Sequence, residues 1–256
     1  MKSKTKIFRT LRVALVAVFG FALPAAAIDL SKMSGSERAA FGDAVRAYLI
    51  ENPEVIIEAI EVLEGRQAEA ESRADIEMIA ANADELFNDG VSWVGGNPDG
   101  DVTIVEFIDY RCGYCRRAVP EVAKLLSNDQ NVRFVIKEFP ILGEASLQSA
   151  RFAVSTRLVA GMDAYKKVHD ALLDFSGEPT EVNLRRLAEG LQLDAEAILA
   201  GMDAPAVTQE LQRNRSLGQR LNISGTPSFV VGTEMLRGFL PADQMAIIVA
   251  EQRDQG

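Results

Sequence analysis

Residues 102–115 read VTIVEFIDYRCGYC, and the fold is decided by that stretch. Val102 to Phe107 is a short run rich in β-branched residues, the composition of a buried strand. From Arg116 to Leu126 the apolar residues Val119, Val122 and Leu126 share one helical face. Cys112-Gly113-Tyr114-Cys115 therefore stands where a strand gives way to a helix. A second strand is expected at Val132 to Glu138, stopped by Phe139-Pro140.

These are the only two cysteines in 256 residues, and there is a single histidine, His169. A zinc site of four cysteines, or of two cysteines with two histidines, is thereby excluded, as is a disulfide-dense scaffold. Three readings of the pair remain. As a structural bridge it closes too small a ring, roughly 2 kcal/mol in the loop-entropy model against ~4–5 for a loop of a hundred residues. As a metal pair it lacks a nearby third ligand. Redox chemistry fits best, because unpaired N–H groups and the dipole of the helix favour an anion at Cys112. Cys112 is then the attacking thiolate. Cys115, one helical turn on and deeper, is the resolving thiol that releases the client from a mixed disulfide.

Other residues fit the same chemistry. Glu106 lies in the apolar strand, where burial favours the protonated acid; beneath the cysteines it can take and return the proton of Cys115. Its alternative is a strand-end residue in solvent. Lys137 is either its charge partner or an ordinary exposed lysine. Pro120 is expected to kink the helix. Thr226-Pro227 precedes a strand at Ser228 to Val231. A cis bond there would lay the Thr226 backbone beside Cys112, although most X–Pro bonds are trans. His169 reads as a packing or helix-surface residue, Arg116-Arg117 as solvated surface, and Tyr110 and Tyr114 as either groove walls or loop aromatics.

A leader is expected at the start of the chain. Lys2, Lys4, Lys6, Arg9 and Arg12 precede the apolar run Val13 to Leu23, and Ala25 to Ala27 supplies a cleavage site. That run is too short to span a bilayer, so residues 1–27 are expected to be a signal peptide. The chain carries 27 basic and 37 acidic residues; losing those five leaves 22 against 37, a net −15. Such a surface disfavours nucleic acid. The product is expected in the periplasm, where disulfides persist.

Residues 28–90 read as a helical segment. Phe41, Val45, Tyr48 and Leu49 share a face, and Asn52-Pro53-Glu54 is expected to restart the helix with Asn52 as N-cap. Ile56, Ile60 and Leu63 follow at coiled-coil-like spacing. This patch is expected to make a homo-oligomer, packing on its own chain being the alternative. Gly95 to Asp101 is a turn cluster, and residues 91–256 form the second domain, with a helical insertion at about 145–221. Its last helix has Asp203 as candidate cap and Pro205 close behind. A strand at Met235 to Arg237 and a helix from Pro241 to Glu251 complete an α/β fold.

These motifs together resemble the thioredoxin superfamily: C-x-x-C after a strand, an acid six positions before it, Pro120 eight after it, and Thr-Pro before a late strand. The helical block before Thr226 resembles the DsbA-type branch of exported oxidoreductases. VEFIDYRCGYC, IKEFPILG and ISGTPSFVVG are similar to its ScsC-like members. The resemblance implies a thioredoxin fold with an inserted helical subdomain, Cys112 as nucleophile, Cys115 as resolving thiol, Glu106 as buried acid and Pro227 as a cis proline. It also implies substrate contact at Thr226, Gly113 and Tyr114, with no cofactor and no structural metal. Cysteine-containing client proteins and a membrane redox partner are the implied partners. Gly113-Tyr114 and Thr226 resemble the disulfide isomerase DsbC more than the oxidase DsbA, so isomerase or reductase activity is favoured over oxidation. Copper(I) binding in metal tolerance is the rival the ScsC-like group keeps open.

Overall fold

The computed structural model describes residues 33–255. The expected signal peptide lies outside the described residues. Ser34 opens the first helix, α1 (Gly35–Glu51), with a capping box: its hydroxyl accepts from the Glu37 amide while Glu37 receives the Ser34 N–H. A long helix, α2 (Glu54–Ala81), and a short one, α3 (Ala83–Phe87), follow. Asn52 does not cap α2 through its side chain. Its amide instead donates to the Tyr48 carbonyl at the end of α1, 2.9 Å away.

Two compact units divide at Glu61 and Val62, inside α2. In the first, α1 buries none of its residues, and Phe41, Val45, Tyr48, Ile56 and Ile60 stand about half exposed. The second unit holds the sheet. Its strands are β1 (Trp93–Gly96), β2 (Val102–Ile108), β3 (Val132–Glu138), β4 (Ser228–Val231) and β5 (Glu234–Arg237), in the order β1-β3-β2-β4-β5. β2 and β3 run parallel, and the other pairs are antiparallel. The helix α4 (Gly113–Asn128) connects β2 to β3 and continues through Pro120.

Alternation along the strands makes two cores. Ile104, Ile108, Phe134, Ile136 and Phe229 face a layer that includes α4, while Val105, Phe107, Val135 and Val230 face Ile79 of α2 and Leu86 of α3. The insertion comprises α5 (Glu144–Ala160), α6 (Met162–Asp174), α7 (Glu181–Gly190), α8 (Ala195–Gly201) and α9 (Pro205–Arg220); α10 (Ala242–Gln255) closes the fold. Pro205 takes the first turn of α9, but Ala204 and not Asp203 is its N-cap. Strand β1 was not expected. Its two glycines read as part of the turn cluster, yet it pairs with β3 from Trp93 opposite Ile136 to Gly96 opposite Arg133. Gly96 has φ +64°, and a Cβ there would stand 2.4 Å from the Val132 carbonyl oxygen, so a side chain is barred.

Candidate active site

The parallel strands end at the same level, and the loop leaving β2 places the cysteines above that edge. Asp109, buried, fixes the loop. Its Oδ1 accepts from the Arg111 amide at 2.8 Å, and its Oδ2 from the amides of Ile141 and Leu142 at 2.8 and 3.0 Å. Its carbonyl accepts from the Cys112 amide at 3.0 Å. The carboxylate of Asp109 therefore joins the loops following β2 and β3, while its backbone carbonyl holds Cys112, the N-cap of α4. Cys112 thus stands at the end of α4 where a helix leaves amides without intrahelical partners.

Across the gap, the Thr226–Pro227 bond is cis. The Cys112 thiol donates to the Thr226 carbonyl at 3.1 Å. Cys112, Thr226 and Pro227 thus meet although 114 residues separate the two hydrogen-bonded partners. Cys112 is 7% exposed and Cys115, in the first turn of α4, is 1% exposed. Burial pushes the Cys115 thiol far above its ordinary range. The Thr226 hydroxyl is buried without a partner among the described residues. Gly113 is exposed, and Tyr114 stands 57% exposed beside it.

Glu106 is buried under this pair, on the face of β2 that also carries Ile104 and Ile108. Burial, with a contribution from Cys112, raises its carboxyl to about 8. The carboxyl borders a cavity of about 140 Å³ between the sheet, α4 and α6, with Val122, Ile136 and His169 among its walls. That is room for several waters. Lys137 is neither its partner nor exposed. It is 1% exposed, stands opposite Phe107 in the parallel register, and so occupies the other sheet face. There its ammonium donates to the Glu85 carbonyl and to Asp89 Oδ2, each at 2.6 Å.

Sequence reasoning missed a second buried acid. Glu138, ending β3, receives both the Tyr110 hydroxyl at 2.6 Å and the Tyr165 hydroxyl at 2.7 Å on one oxygen. Burial nonetheless raises it to about 8, and its other oxygen has no partner among the described residues. His169 lies 3.1 Å from the Tyr110 hydroxyl, and burial lowers its imidazole to about 3. The members come from β3, α6 and the β2–α4 loop, so no local spacing announces them.

Two arginines tie the cysteine loop to the insertion. Arg116 donates to the carbonyls of Tyr110 and Phe175 at 3.1 and 2.9 Å, and Arg111 to that of Gly177 at 2.7 Å. Arg116 is therefore structural where a solvated residue was expected.

The family model described as "DSBA-like thioredoxin domain" matches residues 103–250, and "Copper resistance protein ScsC N-terminal domain" matches residues 37–70. A solved thioredoxin-like oxidoreductase from Silicibacter pomeroyi is 44% identical, covering 67% of this chain and 97% of that one, with a TM-score of 0.62. ScsC of Proteus mirabilis, in a transitional conformation, is 27% identical over 88% of this chain and 99% of its own, with a TM-score of 0.63. The chain spans about a fifth of the length of the first curated relatives. One of these, Na(+)/H(+) antiporter NhaA 3 of Salinispora tropica, is 30% identical over 138 residues, 54% of this chain and 21% of the relative.

Proposed function

The chain belongs to the DSBA-like thioredoxin family, and from that premise we propose that it is a periplasmic thiol–disulfide oxidoreductase acting on cysteine-containing client proteins. The carrying observation is the meeting of the Cys112 thiol with the Thr226 carbonyl beside cis Pro227, over a buried Cys115 and Glu106. The Cys112 thiolate attacks one sulfur of a client disulfide, and the other client sulfur leaves as a thiolate. Two outcomes follow. In reduction, ionised Glu106 takes the Cys115 proton; Cys115 then attacks Cys112 and expels the client's second sulfur as thiolate. In isomerisation, another client thiolate attacks the mixed disulfide and regenerates Cys112. The cavity gives Glu106 a route to solvent protons. Clients lie extended against the Thr226–Pro227 backbone, with Gly113 and Tyr114 as neighbours.

Isomerase or reductase activity is favoured over DsbA-like oxidation by Gly113-Tyr114 and by Thr226 before the cis proline. Recovery of scrambled ribonuclease, compared with oxidation of the reduced enzyme, tests this; activity in the second assay alone refutes it. A membrane redox partner resets the cysteines. Residues 28–90 serve as the oligomerisation segment, the sheet domain following at 91–256. The half-exposed Ile56, Ile57, Ile60, Val62 and Leu63 support self-association, and a monomeric molar mass would refute it. The match of residues 37–70 to a copper-resistance domain favours a second reading, Cu(I) held by the two thiolates. Copper binding to the reduced protein no tighter than to a free dithiol would end it.

A further inference from the structure

In a chain of net charge −10, the rim of the cysteine site is cationic. Arg111, Arg116 and Arg117 flank the pair, and Arg237 borders a groove of about 240 Å³ along the Ser224–Ser228 turn; no carboxylate lines that groove. Three of the four are engaged. Arg111 pairs with Glu178, Arg116 is spent on two carbonyls, and Arg237 forms a bidentate pair with Asp75 at 2.7 and 2.8 Å.

Arg117 differs. Its guanidinium lies 5.3 Å from the Tyr114 ring centroid and 4.9 Å from that of Phe239, and among the described residues it forms no ion pair. Glu121, four residues on along α4, is the acid best placed to neutralise it. Glu121 makes no ion pair with it among the described residues, and one Glu121 oxygen accepts the Ala242 amide at 2.8 Å. Phe239 follows Gly238, whose amide donates to the Pro227 carbonyl at 3.0 Å, so the stack is tied to the cis-proline loop. Stacking uses the face of a guanidinium and leaves its edge donors free for a carboxylate. An exposed cation is thus held in place next to where a client must lie.

We propose that this rim selects clients by charge: the preferred segment carries a carboxylate beside its reacting cysteine, and Arg117 is the specificity-determining residue that reads it. The inference rests on the exchange reading above. One exposed, pre-ordered charge pair gives about a three- to fivefold preference, and opposing a lysine at the same place extends the contrast to about tenfold.

The test uses the mature chain and peptides identical except for Asp, Asn or Lys beside one cysteine, each carried as a mixed disulfide with 2-thiopyridine. Attack by Cys112 on the peptide sulfur releases thiopyridone, and each rate is divided by that of the same peptide with dithiothreitol. The expected Asp-to-Lys ratio is about ten in about 0.02 M salt and approaches one in about 0.5 M. Arg117→Gln collapses it, Arg117→Glu inverts it, and the remote surface change Arg186→Gln retains it. A ratio near one at low salt, or one unmoved by Arg117→Gln, overturns the proposal while exchange itself stands. If no peptide gives release that depends on Cys112, the exchange reading falls as well.

Discussion

Replacing Glu106 with glutamine removes one buried proton-binding group while keeping the side chain's shape. In the folded chain the carboxyl titrates at about 8, not at the ordinary 4.5. The folded state therefore holds a proton that the unfolded state has released, and this contribution is complete below 4.5 and lost as pH rises through 8. At 1.36 kcal/mol per unit the whole effect is on the order of 5 kcal/mol. Glu138 adds a loss of the same sign, since it too titrates at about 8. His169 acts oppositely, but only below its ordinary 6.5; above that the two acids dominate, and the losses of the same sign from Cys115 and Glu210 belong to both proteins compared. Between about pH 6.5 and 8.5 each acid withdraws about 2 kcal/mol, making about 4 for the natural chain and about 2 for Glu106→Gln. Urea unfolding of the reduced proteins across that interval reads the difference. A buried amide lacking partners lowers stability equally at every pH, so the slope is unaffected. Equal slopes in the two proteins would refute the account of Glu106 as a buried, protonated acid.

Other changes probe the same geometry. Cys115→Ser should accumulate a mixed disulfide between Cys112 and client on non-reducing gels, whereas Cys112→Ser should form none; trapping by the latter would reverse the two roles. Asp109→Ala frees three backbone amides that now share one carboxylate, and should cost about 3 kcal/mol in denaturant with slower exchange; a loss under about 1 kcal/mol would show that the loops hold without it. His169 is neutral when folded and protonates on unfolding, so its contribution is present above 6.5 and is lost as pH falls toward 3. His169→Phe should thus flatten the acid limb by up to about 1.4 kcal/mol per unit, measured as the difference from the natural chain.

What the sequence disclosed follows from how far apart the partners lie. Cys112, Cys115 and Glu106 sit within ten residues, and the strand-to-helix change between them is written in local composition. Thr226-Pro227 announced itself as a strand start, and only the resemblance brought it to the cysteines. Strand β1 was hidden because Gly95 and Gly96 carry turn signals, and its partners on β3 lie about forty residues downstream, from Gly96 opposite Arg133 to Trp93 opposite Ile136. Glu138 finds Tyr110 and Tyr165 at separations of 28 and 27 residues. Lys137 finds Asp89 at 48. A single sequence gives no local sign of such pairs. The Arg116 reading failed for the same reason: Phe175, which it holds, belongs to the inserted subdomain.

The misreading of Lys137 shows how the acid is kept protonated. In the parallel register Glu106 stands opposite Ile136 and Phe107 opposite Lys137. Adjacent residues on a strand point to opposite faces, so a slip of one position would have set the ammonium beside the carboxyl. The two would then have neutralised each other, and an opposite charge at contact holds a carboxylate ionised well into the acid range. The register instead commits the lysine to Asp89 and the Glu85 carbonyl on the face that packs α2 and α3. On the other face Glu106 meets hydrocarbon, the cavity and the thiols. Burial outweighs every stabilising interaction available to its anion there. An acid titrating near 8 can both give and take a proton at neutral pH; one paired with lysine would be ionised throughout and could give none. The same alternation that separates the two cores therefore also separates an anchoring ion pair from a proton-transfer group.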